Sequence, residues 1–94
     1  MTDETLRLTA RIRGVVQGVG FRYWTARKAD ELLLKGTVRN HPDGSVELVA
    51  EGSVSDVSRM TDWLHSSQAP GRVENVEFEL SDAIGEFRDF RIVG

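Results

Sequence analysis

Leu6, Leu8, Ala10 and Ile12 alternate with Arg7, Thr9, Arg11 and Arg13, a period of two that predicts a strand with one buried face. From about Arg22 to Leu33 the spacing lengthens, and Ala26, Ala29, Leu32 and Leu33 fall on one side of a predicted helix. Alternation returns at Val38 and Asn40, set among Thr37, Arg39 and His41, as a short second strand. Asp43-Gly44 is a hairpin turn signal. Val46, Leu48 and Ala50 then alternate with Glu47, Val49 and Glu51 in a third strand. Ser53-Val54-Ser55-Asp56 resembles a capping box with Asp in place of Glu or Gln. Val57, Met60 and Leu64 follow at helical spacing, which predicts a second helix from about Val54 to Ser66. Ser67-Gln68-Ala69-Pro70-Gly71 reads as a loop, and Val76, Phe78 and Leu80 mark a fourth strand. Ser81 to Asp89 reads as another loop, and Phe90 with Ile92 as a short terminal strand.

The order strand, helix, strand, strand, helix, strand is that of a ferredoxin-like sandwich. The predicted class is α+β: an antiparallel sheet, two helices on one face, and a short extra C-terminal strand. The other sheet face would show Arg7, Arg11, Arg13 and Arg39 among Glu47, Glu51, Glu77 and Glu79, a solvated face with cross-strand charge pairs. An RNA-binding sheet of this fold stacks bases on aromatic side chains, and none of these positions is aromatic.

The chain has 94 residues, which predicts one domain with a core from about residue 6 to 93. It lacks cysteine, so no disulfide, thiolate nucleophile or thiolate metal site is available. A net charge of −3 disfavours a nucleic-acid binder, which usually carries a basic surface. Met1-Thr2-Asp3-Glu4-Thr5 is acidic and polar, unlike a signal peptide. No apolar run approaches membrane-spanning length. The expected location is the cytoplasm, away from any membrane.

Candidate chemistry concentrates in Gly14-Val15-Val16-Gln17-Gly18-Val19-Gly20-Phe21-Arg22, between the first strand and the first helix. The glycines flanking Val19 let backbone N–H groups turn toward one point. The helix start adds unsatisfied N–H groups and the positive end of a dipole. Arg22 adds a fixed cation with a planar fork of donors. Together these suit a phosphate-like anion, although a plain tight connection fits the same residues. Tyr23 stands where a dinucleotide fingerprint needs glycine, and no Gly-Lys-Ser/Thr run completes a P-loop.

Asn40 shares the helix-side face with Val38, near the end of the second strand. Its carboxamide either bonds to the backbone of the turn at 41–44 or, offering both donor and acceptor, holds a water. His41 falls outward beside the turn and His65 near a helix C-terminus, without metal-ligand spacing. Trp24 and Trp63 read as packing residues, and the acidic side chains as caps, turns and solvated faces.

Val16-Gln17-Gly18-Val19-Gly20-Phe21-Arg22 resembles the first signature of the acylphosphatase family, and Gly36-Thr37-Val38-Arg39-Asn40-His41-Pro42-Asp43-Gly44-Ser45-Val46-Glu47 the second. Ala29 and Leu32 fit the helix between them, and the stretch from Pro70 to Val76 with Phe90-Arg91-Ile92 fits the C-terminal half more loosely. The resemblance implies hydrolysis of an acyl phosphate to a carboxylate and inorganic phosphate, with no metal and no cofactor. It implies that Arg22 and the N–H groups of Val16, Gln17, Gly18, Val19, Gly20 and Phe21 hold the phosphoryl group. It implies that Asn40 positions the attacking water. Inorganic phosphate would be product and inhibitor, and the chain a monomer. Two positions depart from the family's pattern. Leu33 replaces a glycine that ends the first helix, predicting a longer helix or modest strain, and Thr37 replaces an aromatic. A non-catalytic ferredoxin-like binding module is the alternative. So is an acylphosphatase-like domain of a larger carbamoyl-transferring maturation protein, which would carry zinc-binding cysteine motifs.

Overall fold

In the computed structural model residues 4–94 are described, so Met1, Thr2 and Asp3 of the acidic N-terminus lie outside the described residues. The elements run β1 (Thr5–Val15), α1 (Phe21–Glu31), β2 (Lys35–Asn40), β3 (Val46–Ser53), α2 (Val54–Leu64), β4 (Arg72–Asp82) and β5 (Phe90–Ile92). They form one sheet of order β4-β1-β3-β2-β5. β1 pairs antiparallel with β3 and β4, and β2 antiparallel with β3. The added strand β5 instead joins β2 in parallel, so the sheet is mixed. The reason is topological. β4 runs against β2, and the chain passes to the opposite edge at the same end of the sheet, from Asp82 beside Leu6 to Phe90 beside Gly36, so β5 runs back against β4 and therefore along β2.

The period of two places Leu8, Ala10 and Ile12 of β1 opposite Ala50, Leu48 and Val46 of β3, all essentially unexposed. α1 lies over β2 and β5, and α2 over β1 and β3. Phe21 of α1 meets Trp63 of α2 with ring centroids 6.2 Å apart, closing the core between the helices. This placement leaves the helix side of β4 open at Phe78 and Leu80, which share a face with Ala10 and Leu8 yet stay about half exposed. Trp24 departs from its packing assignment: it is 50% exposed, whereas Trp63 is buried.

Ser53 caps α2, accepting the Asp56 N–H at 3.1 Å while its own hydroxyl donates to Asp56 Oδ2 at 2.9 Å. α2 stops at Leu64, two residues before the predicted end, and His65 Nδ1 lies 2.8 Å from the Thr61 carbonyl oxygen there. α1 stops at Glu31 rather than extending, and Leu33 takes a left-handed φ of 60° with its side chain in solvent. Leu33 thus performs the turn that a glycine ordinarily makes.

The outer sheet face departs most from expectation. The segment 83–89 crosses it to link the two edges, and β3 holds that segment down. Glu51 accepts the N–H groups of Ile84 at 2.8 Å and Gly85 at 2.9 Å, and the Arg7 Nε–H at 2.8 Å. Arg7 also pairs with Glu86 and lies 5.1 Å from the Phe87 ring centroid. Glu51 is therefore buried, not solvated. Arg11 and Arg39 keep the expected cross-strand pairing with Glu47, and Arg13 with Glu77; Asp43 of the turn joins Arg11 and Arg13 as a further partner.

Candidate active site

The loop from Val16 to Gly20 is fixed at both ends. Val16 and Phe21 are each 1% exposed, so the residues between them bridge two core anchors. β1 enters the loop through an irregularity at Arg13/Gly14. A Cβ on Gly14 would stand 2.1 Å from the Arg72 carbonyl oxygen, so β4 approaches too closely for any side chain there. Gly18 and Gly20 take φ of 75° and 78°, a left-handed backbone that Cβ opposes.

Gly20 is the N-cap of α1, with no side-chain cap and no acidic residue in the first turn. α2, by contrast, is capped by Ser53 and carries Asp56. Among the described residues, none of the backbone N–H groups from Gln17 to Phe21 donates to another backbone or side-chain group. Those donors, together with the positive end of the helix dipole, are left uncompensated.

A cavity of about 180 Å³ opens there, lined by Val16, Gly18, Gly20, Phe21, Arg22, Tyr23, Asn40 and Ile92. Arg22 is half-buried. Arg7, Arg11, Arg13 and Arg39 each have a carboxylate partner on the outer face; among the described residues no carboxylate pairs with Arg22. Asn40, at the end of β2, contributes a buried Oδ1 that accepts no hydrogen bond among the described residues. The expectation that Asn40 points to the helix side or the rim is met, and its Oδ1 is not used to hold the turn. Thr25 Oγ1 is likewise buried and unpartnered, but Thr25 does not line the cavity.

Six of the eight residues singled out in the sequence therefore share the cavity. Val19 and Gln17 do not line it. Val19 is partly exposed, with Cγ2 against Gly71. Gln17 Nε2 donates to the His41 carbonyl oxygen at 2.8 Å and the Ser45 carbonyl oxygen at 2.9 Å. Tyr23 and Ile92 line the cavity without having been singled out. Tyr23 follows Arg22 directly, whereas Ile92 arrives through the parallel register that pairs it with Val38.

His41 is turned to the outer face, 3.4 Å from Glu47 Oε2, within ion-pair reach but without hydrogen-bond geometry. Burial pushes the Glu47 carboxyl up, yet Arg39 and His41 outweigh it and hold the group below its ordinary value. Among the described residues no group of three or more His, Cys, Asp or Glu side chains is arranged to hold a metal ion.

A family model described as Acylphosphatase matches residues 8–92. The chain is 82% identical over 93 residues to an acylphosphatase of Paenarthrobacter aurescens (strain TC1), covering 99% of both chains. It is 57% identical over 90 residues to one of Arthrobacter sp. (strain FB24), covering 96% of this chain and 83% of the relative. The crystal structure of acylphosphatase from Bacillus subtilis superimposes with a TM-score of 0.86 at 32% identity, covering 95% of this chain and 99% of that one.

Proposed function

The chain belongs to the acylphosphatase family and hydrolyses acyl phosphates, and on that premise we propose that Arg22 and the N–H groups of residues 16–21 hold the phosphoryl group while Asn40 positions the attacking water. The observation that carries this reading is one cavity holding an uncompensated arginine at one helix terminus and an unpartnered carboxamide oxygen on the adjoining strand.

An acyl phosphate is a mixed anhydride whose leaving group is a carboxylate. Carboxyl groups have pKa values of about 4, so the leaving group departs without receiving a proton and no general acid is needed. Phosphoryl transfer in a loose transition state spreads charge over the equatorial oxygens. Fixed donors aimed at those oxygens act without reorganising. Arg22 supplies two or more donors in a rigid fork, and the loop amides supply the rest. Asn40 Oδ1 accepts from the water and aligns it with the phosphorus, opposite the departing carboxylate. A carboxamide is no base, so a phosphoryl oxygen of the substrate takes the water proton. The reaction so described requires neither metal nor cofactor.

We propose that the enzyme acts as a monomer, the loop, Arg22 and Asn40 being brought together by the fold of a single chain. Among the described residues no helix is long and apolar enough to cross a membrane. We place the enzyme in the cytoplasm, where a cysteine-free chain forgoes nothing.

The test is hydrolysis of benzoyl phosphate in the presence of a chelator, with inorganic phosphate as inhibitor. The wild-type protein turns over in chelator, and phosphate inhibits competitively. Arg22→Gln weakens phosphate inhibition and lowers kcat/KM. Asn40→Ala keeps phosphate inhibition and loses about 10²–10³-fold in kcat, as for a lost preorganised hydrogen-bonding group. Normal kcat in a folded Asn40→Ala protein removes the water-positioning role, and unchanged phosphate inhibition in Arg22→Gln removes the phosphate role.

A further inference from the structure

Arg22 and the loop belong to one segment of the chain, and Asn40 to another. In-line attack needs the phosphorus and the water held at a fixed separation and angle, so something must set the loop against the end of β2. The backbone does not do this directly, because β1 and β2 are not neighbours in the sheet; β3 lies between them.

Gln17 spans that gap. Its carboxamide leaves the loop and donates both Nε2 hydrogens across the sheet end, to His41 and Ser45. Those two carbonyls close the turn that follows Asn40. The His41 N–H donates to the Ser45 carbonyl oxygen at 2.8 Å, and the Gly44 N–H to the His41 carbonyl oxygen at 3.1 Å. Asp43 stiffens the turn from within, accepting the Ser45 N–H at 2.9 Å and its hydroxyl at 2.5 Å. Gln17 thus grips a rigid turn one residue beyond the proposed water-holding residue, while its own backbone forms part of the proposed phosphate cradle.

We propose that the Gln17 side chain is a positioning residue: it sets the register between the phosphate cradle and Asn40, and takes no part in binding substrate. The inference rests on the roles assigned above to Arg22, the loop and Asn40. It explains why a chemically capable carboxamide in the middle of the loop is turned away from the cavity. It also separates Gln17 from a fold requirement, because both carbonyls it caps already accept backbone hydrogen bonds and neither is orphaned when it is removed.

Gln17→Met keeps the length and deletes both donors. It should fold, leave the inhibition constant of inorganic phosphate within about twofold, and lower kcat for benzoyl phosphate by about tenfold or more, since small misplacements of reacting groups act strongly on rate. Because Gln17 acts through Asn40, Gln17→Met should add little further loss in an Asn40→Ala background, the non-additivity of residues that work as a unit. Gln17→Glu gives a second readout. Its carboxylate faces two carbonyl oxygens, whereas the protonated acid restores one donor, so its kcat relative to wild type should recover as the pH falls, with no such recovery in Gln17→Met.

Wild-type kcat in Gln17→Met overturns the inference. So does a loss of kcat matched by an equal loss of phosphate inhibition, which marks a collapsed loop. Full additivity with Asn40→Ala also overturns it. Should Gln17→Met fail to fold, the pH profile of Gln17→Glu decides alone, and a flat ratio to wild type overturns the proposal. If Asn40→Ala itself keeps normal kcat, the assignment of the water fails first and takes this inference with it; if Asn40→Ala loses kcat and Gln17→Met does not, only the inference about Gln17 fails.

Discussion

Leu33 holds φ at 60° with 79% of its surface exposed. A left-handed backbone brings Cβ against the following carbonyl oxygen, which costs roughly 1–2 kcal/mol for a residue other than glycine. Leu33→Gly removes that clash and forgoes little burial, but it enlarges the unfolded ensemble, offsetting roughly 0.4–1 kcal/mol. The balance predicts a protein about 0.5–1 kcal/mol more stable, with unchanged benzoyl phosphate kinetics, read from denaturant midpoints. An unchanged or lowered midpoint would show that Leu33 gains something here beyond closing the helix. At this scale the candidate site was legible: Arg22 and Asn40 carry their donors and acceptors in their side chains, and both line the cavity. Gln17 was legible only as a loop position. Its side chain acts on the carbonyls of His41 and Ser45, and a sequence does not tell where another segment's carbonyls lie.

Between elements, the segment 83–89 depends on one acidic side chain of β3. Burial works against the Glu51 charge, but the N–H groups of Ile84 and Gly85 and the Arg7 guanidinium outweigh it and hold the carboxyl below its ordinary value. Glu51→Ala leaves Arg7, whose side chain is 16% exposed, without its inner partner, and frees both N–H groups. A hydrogen bond to a charged group contributes about 1.5–3 kcal/mol, and the freed N–H groups and the Arg7 guanidinium regain water once the segment loosens, so a loss of at least about 2–3 kcal/mol is expected, with faster amide exchange at Ile84 and Gly85. Unchanged stability and exchange would mean that the crossing segment is held by Phe87 and Glu86 instead. The alternation around Ala50 correctly gave Glu51 its face. It could not reveal a cover, because the covering segment carries no periodic pattern of its own.

Over the whole molecule, the depressed carboxylates set the response to acid. Glu51 and Glu47 lie below their ordinary pKa values for the reasons given, and Asp43 does so through the Ser45 hydroxyl and N–H and the arginines at 13 and 11. Between those depressed values and the ordinary carboxylate range near about 4, the unfolded chain binds more protons than the folded one. Their contribution is therefore fully present above that range and lost as the pH falls through the folded values. The melting temperature should stay nearly level from neutrality to about pH 5 and decline steadily below about pH 4. Glu51→Gln should flatten the decline. A wild-type profile level down to about pH 2 would sink the account.

Element type and order followed from local periodicity, since a period of two or of 3.6 is written in consecutive residues. The sequence also settled which face of β1, β2 and β3 is buried, and, through two long motifs, the family to which the chain belongs. Tertiary structure alone decided the rest. It sent the chain from β4 across the outer face to β5 and made β5 parallel to β2, bringing Ile92 to the cavity. It left Phe78 and Leu80 uncovered by placing the helices over other strands. It joined the loop to the turn through Gln17. Each of these depends on contacts between residues far apart in the chain, for which alternation along a single segment contains no information.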